Sequence, residues 1–158
     1  MPLIIREFEF QVFLVAGVFL LAYLLFLYSF IAFFCVCGGL SLAEVGALLS
    51  AHSCRVAVFH ASESSADQFR QSAMLALSRA DSSSAVVVNY HMSTLGQTPF
   101  CGHHSPLAAY HAESDRFLLL DVWPDTVECW ATTDNLFAAM NTIDDDTAKT
   151  RGFCIVSF

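Results

Sequence analysis

The chain has 158 residues, of which 56% are hydrophobic and 14% are charged, and its mean hydropathy is +0.56. This length corresponds to one domain, and an average soluble domain carries about 25% charged residues. The composition excludes a disordered chain, collagen and a coiled coil. It also argues against a wholly soluble protein.

The net charge is −8, from 7 basic and 15 acidic residues. Arg6, Glu7 and Glu9 precede a long uncharged stretch, so the chain beyond that stretch carries 6 basic and 13 acidic residues. A protein that binds nucleic acid needs a basic face to meet the phosphates. Six scattered basic residues form no such face, so we expect no nucleic-acid partner.

The uncharged stretch lies between Glu9 and Glu44 and is nearly all apolar. A helix that crosses a bilayer needs about 20 apolar residues, and residues 12–35 exceed that length. We therefore expect an apolar, transmembrane-like N-terminal helix within residues 1–38, followed by a second part at residues 39–158. Residues 12–35 would anchor a single-pass membrane protein.

Two alternatives for this N-terminal segment stay open. A signal peptide is disfavoured, because the apolar run is too long and its flank is not basic. The stretch could instead be foreign to the native protein, and the chain would then be cytoplasmic.

In the second part, Ser41 and Glu44 have the S-x-x-E spacing of a capping box and predict a helix that reaches about His52. The further predicted elements are a strand at 55–60, a helix ending near Arg79, a buried strand at 85–90, two strands at about 103–110 and 117–123, a helix from Thr133 to about Asn141, and a closing strand at 152–157. This order predicts an α+β fold with an antiparallel sheet of about four or five strands and two or three helices.

The two strands on either side of the polar sequence at 112–115 predict a hairpin with a tight turn. His103 begins the first strand, Asp121 ends the second, and both lie equally far from Ala112. Residues placed in this way are cross-strand neighbours with Cβ atoms about 5 Å apart, so we expect the two side chains to touch.

A carboxylate beside an imidazole orients the ring, selects its tautomer and stabilises its protonated form. His103 and Asp121 would thus supply the supporting half of a nucleophile–His–Asp triad. The alternative is a pair of polar residues at strand ends with no chemical role.

Several blocks of sequence, in order, resemble the phytochelatin synthase family over about residues 39–158. They are Gly102-His-His-Ser-Pro106, Tyr110-His-Ala-Glu113 with Asp115, Leu118-Leu-Leu-Asp-Val122, the stretch at 136–144, and Arg151-Gly-Phe153. The resemblance implies the C-terminal lobe of the catalytic domain, which is the antiparallel-sheet half of a papain-like cysteine protease fold.

The resemblance also implies an activity, glutathione γ-glutamylcysteinyltransferase, in which a Cys thiolate attacks the carbonyl before the glycine of glutathione and the γ-Glu-Cys unit passes to a second glutathione. His103 would be the general base and then the general acid, and Asp121 would orient it. The implied partners are glutathione and metal–glutathione thiolates. Cadmium or zinc ions would act as activator or as thiolate conjugate, no organic cofactor is expected, and the residues that would hold a metal are unknown.

The nucleophile of the family belongs to an N-terminal lobe whose place the apolar segment takes here. Cys37 precedes Gly38 much as the family's nucleophile precedes a glycine, but the sequence that follows matches a later segment of the family. Cys101 lies two residues before His103, which breaks the family's order along the chain. Cys54, Cys129 and Cys154 are expected to be buried or half-exposed thiols.

Two further interpretations follow from the missing nucleophile. The chain could be a membrane-tethered pseudoenzyme that keeps the fold without turnover. It could equally be a truncated product whose nucleophile lobe is encoded upstream. His103, His104, His111 and Cys101 fit no spacing of zinc ligands.

Overall fold

A computed structural model of the chain describes residues 39–79, 83–98, 101–121 and 129–158. The transmembrane-like segment at 1–38, including the anchor expected at 12–35, lies outside the described residues. Within the described ranges, no helix is long and apolar enough to cross a membrane. Residues from Leu40 to Phe158 belong to one compact unit.

The described residues form three helices and eight strands. The helices are α1 (Leu42–Ala51), α2 (Ala66–Leu77) and α3 (Thr133–Met140), and the strands are β1 (Arg55–His60), β2 (Ser84–His91), β3 (Gly102–His111), β4 (Arg116–Leu119), β5 (Cys129–Thr132), β6 (Ile143–Asp144), β7 (Lys149–Thr150) and β8 (Gly152–Ser157). Short 3₁₀ turns cover Ala61–Glu63 and Met92–Leu95.

Six of these strands form one antiparallel sheet in the order β1-β8-β2-β3-β4-β5, and β6 and β7 form a separate pair. The central strand β2 lies between β8 and β3 and is buried on both faces, which explains its continuous run of β-branched residues. The closing strand β8 pairs with β1 and β2, so the end of the chain lies inside the sheet.

Helices cover both faces of the sheet. A Cβ on Gly46 of α1 would lie 2.6 Å from the Val58 side chain, so α1 lies close against β1. The next residue, Phe59, stacks on Phe153, whose ring also meets Phe69 of α2. Because successive side chains of a strand point to opposite faces, α1 and α2 lie on opposite sides of the sheet.

The α+β fold and its antiparallel sheet agree with the expectation from sequence. The capping box is confirmed, because Ser41 accepts from the Glu44 amide and the Glu44 carboxylate accepts from the Ser41 amide. The first strand is confirmed at its predicted bounds, 55–60, and the predicted hairpin turn at 112–115 lies between β3 and β4.

The expected number of strands is wrong, because the main sheet has six. The strand β5 was not predicted, since four residues are too few to show an alternating pattern. The pair β6–β7 was not among the predicted strands, since two-residue strands carry no periodicity. The second hairpin strand ends at Leu119 rather than near 123.

Candidate active site

His103 and Asp121 lie together at the open end of the β3–β4 hairpin. The Nε2–H of His103 donates to Oδ1 of Asp121 over 2.7 Å, and both side chains are buried. The contact expected from the hairpin is therefore present. Since Nε2 carries the proton toward the carboxylate, Nδ1 is the ring nitrogen that would exchange a proton with a nucleophile.

The register of the hairpin differs from the one expected. Tyr110 pairs with Phe117, and an irregularity follows before Leu107 pairs with Leu119. Continuing that register would place Asp121 beside Ser105 instead of His103. The imidazole therefore reaches the carboxylate diagonally, a distance that long side chains bridge. The Leu120 amide, which donates to the Pro106 carbonyl over 3.0 Å, continues the hairpin toward Asp121.

The other end of the hairpin is fixed by Asp115, whose φ of 48° marks it as a turn residue. Arg70 of α2 donates from Nε and Nη2 to the two carboxylate oxygens over 2.9 and 3.0 Å. Tyr110 and Thr133 donate to Oδ1 over 2.8 and 2.6 Å. We call these four residues the turn cluster; it ties the hairpin to α2 and to the start of α3.

The turn cluster has a clear electrostatic signature. The hydrogen bonds from the Arg70 guanidinium, with help from Thr133 and Tyr110, lower the pKa of Asp115 to about 2. The same contacts raise the pKa of Arg70 above its ordinary value. Both partners therefore stay charged over the whole physiological range, which makes this end of the hairpin a fixed support.

Arg151 is a buried cation that the sequence indicates only as part of the Arg151-Gly-Phe153 motif. Its residue is 6% exposed, and its guanidinium donates to Thr142 Oγ1 over 3.1 Å and to the Ile143 carbonyl. It forms no ion pair with any carboxylate of the described residues. A Cβ on Gly102 would lie 2.8 Å from its Nη2, so the guanidinium lies against the residue before His103.

A buried arginine with neutral partners is costly unless something compensates its charge. Its position beside the start of β3 therefore makes Arg151 a candidate for recognising an anionic group close to His103. The signal available in the sequence was an arginine at the entrance of a buried strand, directly before Gly152 and Phe153.

His104 points to the opposite side of β3 from His103, since neighbouring strand residues alternate. Burial above all, and then electrostatic interaction with His103 and Arg151, lowers the pKa of His104 to about 3. Its Nε2 is buried without a hydrogen-bond partner. An imidazole that stays neutral and lies on the other face of the strand cannot substitute for His103.

The described cysteines are all free thiols. Burial raises the pKa of Cys154 to about 12, and burial together with the charge of Asp121 raises the pKa of Cys129. Cys101 is half-buried with its Sγ 4.0 Å from the Met92 Sδ, while Cys54 lies between α1 and β1. Raised pKa values disfavour the thiolate that a nucleophile needs. Cys37, the other cysteine considered, lies outside the described residues, as does Cys35.

Metal-binding chemistry was tested on the same residues. No three His, Cys, Asp or Glu side chains in the described ranges lie close enough together to hold a metal ion. His111, the third histidine of the hairpin, lies at the turn, with Nδ1 2.9 Å from Ser114 Oγ and its ring against Trp130. Within the described ranges, the side chains thus form no site that fits a resident metal ion.

The chain is similar in sequence to known proteins. The family model for phytochelatin synthase matches residues 35–153. Glutathione gamma-glutamylcysteinyltransferases 1 and 3 of Lotus japonicus are each 37% identical over 123 residues, covering 75% of this chain and 23% and 24% of theirs. Enzyme 1 of Arabidopsis thaliana is 33% identical over 123 residues, with 75% and 24% covered. The chain spans about a quarter of the length of these curated relatives, and it belongs to the phytochelatin synthase family.

Proposed function

We propose that residues 39–158 are the C-terminal lobe of a papain-like catalytic domain that transfers γ-Glu-Cys between glutathione molecules in the response to heavy metals. The observation that carries the proposal is the hydrogen bond from His103 Nε2 to Asp121 Oδ1, inside the region that matches the family. His103 is the proposed acid–base residue, and Asp121 the residue that orients it.

The proposed reaction uses a cysteine thiol that a complete catalytic domain supplies. His103 takes the thiol proton, and the sulfur forms a bond to the carbonyl carbon that precedes the glycine of glutathione. The bond to glycine breaks, and His103 returns the proton to the leaving amine nitrogen. The α-amine of a second glutathione then attacks the thioester, gives up a proton through His103, and releases the thiol.

Arg151 supplies a further role for this reaction. Glutathione carries two carboxylates, and a guanidinium recognises a carboxylate through paired, charge-assisted hydrogen bonds. The buried guanidinium lies against Gly102, directly before the proposed base. We propose that it binds a substrate carboxylate. A larger residue at Gly102 would require this guanidinium to shift.

Metal ions enter the proposal as part of the substrate. Cadmium and zinc are soft enough to bind the glutathione thiolate, and the relatives' printed names describe transfer from glutathione. The described residues hold no cluster of three metal ligands.

The test is glycine release from glutathione in the presence of cadmium, measured by mass spectrometry on the protein encoded by the complete transcript. We expect His103→Gln to reduce release by a factor of about 1,000 or more, because the general base is lost. His111→Gln is the matched control: it alters a histidine of the same hairpin at the turn, and should leave release unchanged. Absence of release from the unaltered protein, or release that survives His103→Gln, would overturn the proposal.

A second candidate function is a binding module that keeps the substrate site without turnover. The observation that favours it is the state of the described thiols: the pKa of Cys129 and of Cys154 is raised. Calorimetry on the 158-residue chain distinguishes the two. Glutathione binding that Arg151→Gln weakens, with no glycine release, supports the binding module, while Arg116→Gln at the exposed turn serves as the control.

The domain division and the anchor are part of the proposal. Residues 1–38 would form an apolar segment whose residues 12–35 hold the protein in a membrane. Extraction of membranes with alkaline carbonate tests the anchor, because a spanning segment stays in the pellet. Transcript sequencing across the first 40 codons tests the alternative, a truncated product with a nucleophile lobe encoded upstream.

A further inference from the structure

Tyr90 is a fully buried tyrosine on β2 that faces the proposed active site. It lies directly opposite His103 in the register of β2 and β3, and it is 0% exposed. The two rings approach edge-on, with centroids 5.9 Å apart and planes at 76°. The phenol ring therefore forms the wall on one side of the imidazole, at the distance where aromatic rings pack well.

The hydroxyl of Tyr90 lies among buried polar side chains. It is 3.5 Å from Ser105 Oγ, which is itself fully buried, and it also contacts the side chain of Gln97. Burial raises the pKa of Tyr90 to about 12. The nearby charge of Asp121 adds to this increase, while the hydrogen bonds to Ser105 and Gln97 oppose it. The hydroxyl is thus neutral and remains a dipole close to the carboxylate.

An imidazole on a strand has two side-chain torsions, and both must be set for Nε2 to reach Asp121. A ring flip would bring Cε1 to the position of Nε2 and would break the contact with Asp121. Tyr90 is the cross-strand partner of His103 on β2, and its ring lies beside the imidazole on that side.

We infer that Tyr90 is a positioning residue for His103: its ring confines the imidazole to the rotamer in which Nε2 meets Asp121. This inference rests on the proposed function for its catalytic meaning, but its geometric content is testable without turnover. Tyr90 touches neither substrate nor nucleophile in this account, and acts only through the imidazole that it packs against.

The test measures the tautomer of His103 by long-range ¹H–¹⁵N correlation spectra on the labelled full chain in detergent, with the His103 signals identified from His103→Gln. In the unaltered chain and in Tyr90→Phe, which keeps the ring, we expect the Nε2–H tautomer at pH 8. In Tyr90→Leu, which removes the ring, we expect a mixture of both tautomers. Tyr110→Leu is the matched control, because it removes a tyrosine ring at the other end of the hairpin and should keep the single tautomer.

A single tautomer in Tyr90→Leu would overturn the inference, and so would a mixture in Tyr110→Leu, since the effect would then follow from general loosening. A second measurement uses only the unaltered chain and therefore applies even if Tyr90→Leu does not fold. Nuclear Overhauser contacts between the Tyr90 and His103 rings are expected in the unaltered chain, and their absence would overturn the inference.

These outcomes are separate from those of the proposed function. A protein that shows the expected tautomers but releases no glycine refutes the transferase proposal and leaves the positioning role intact. A protein that releases glycine through His103 while Tyr90→Leu keeps its tautomer refutes only the positioning role.

Discussion

The two ends of the β3–β4 hairpin each hold an aspartate against a basic side chain, and they do so in different ways. At the turn, Asp115 accepts from Arg70, Tyr110 and Thr133. At the open end, Asp121 accepts from the imidazole of His103, a side chain that can both donate and accept a proton. The first arrangement is permanent and the second is able to carry a proton.

The two ends of the hairpin therefore have different roles, one structural and one chemical. The turn cluster connects three elements, since Arg70 belongs to α2 and Thr133 begins α3. The turn cluster fixes the turn of the hairpin, while the open end holds an imidazole beside a buried carboxylate. Groups at functional sites often contribute little to stability, or reduce it. We therefore expect Asp115 to contribute more to the free energy of unfolding than Asp121 does.

The largest effect on stability is expected at the turn. Asp115→Asn removes the charge that pairs with Arg70 and leaves the Arg70 guanidinium with a weaker acceptor. We expect this to lower the free energy of unfolding by about 2 kcal/mol. The value allows for solvent screening, because the Asp115 side chain is 39% exposed. Urea denaturation measures it. Asp67→Asn is the control: it also contacts Arg70 but is 78% exposed, and should change little. Equal losses in both variants would contradict the role given to the turn cluster.

The same carboxylate should make stability depend on pH. The pKa of Asp115 is about 2 in the folded chain, below its ordinary value of 3.8. A lowered pKa contributes stability above the unfolded value, and this contribution is lost as the pH falls from about 4 toward 2. Allowing for exposure, we expect about 1 kcal/mol. The difference in unfolding free energy between the unaltered chain and Asp115→Asn should shrink over that window; a constant difference would argue against it.

A smaller effect is expected for the hydroxyl of Tyr110. Tyr110→Phe removes its hydrogen bond to Asp115 Oδ1 and should cost about 0.5–1 kcal/mol. In the background of Asp115→Asn, the same substitution should cost less, because the two residues share one interaction. Strictly additive losses in the double-mutant cycle would show that the Tyr110 hydroxyl does not act through Asp115.

The smallest effect on stability is expected at the open end. Asp121→Asn keeps the shape of the side chain and removes a buried charge whose desolvation is costly, so the free energy of unfolding should change by less than about 1 kcal/mol in either direction. Denaturation under the conditions used for Asp115→Asn gives the comparison. A loss as large as that at the turn would mean that both ends of the hairpin are structural supports.

Much of this arrangement could be predicted from local sequence. The S-x-x-E spacing at Ser41 placed the start of α1, and the polar turn before Arg116 placed the hairpin with the contact between His103 and Asp121. Both rest on short-range rules of capping and strand pairing.

The rest depends on contacts between distant parts of the chain. The diagonal register follows from an irregularity near Leu107 that no pattern marks, and the turn cluster needs Arg70, which lies 45 residues before Asp115. The burial of Arg151 against Gly102 follows from the order of strands in the sheet. A single sequence carries no signal for such pairings.

The central claim is that the open end of the hairpin holds His103 in one orientation against Asp121. The most direct measurement is the ¹⁵N spectrum of His103 in the unaltered chain and in Asp121→Ala at pH 8. The account predicts one Nε2–H tautomer in the unaltered chain and a mixture in the variant. A mixture already present in the unaltered chain, or no change on removing the carboxylate, would contradict it.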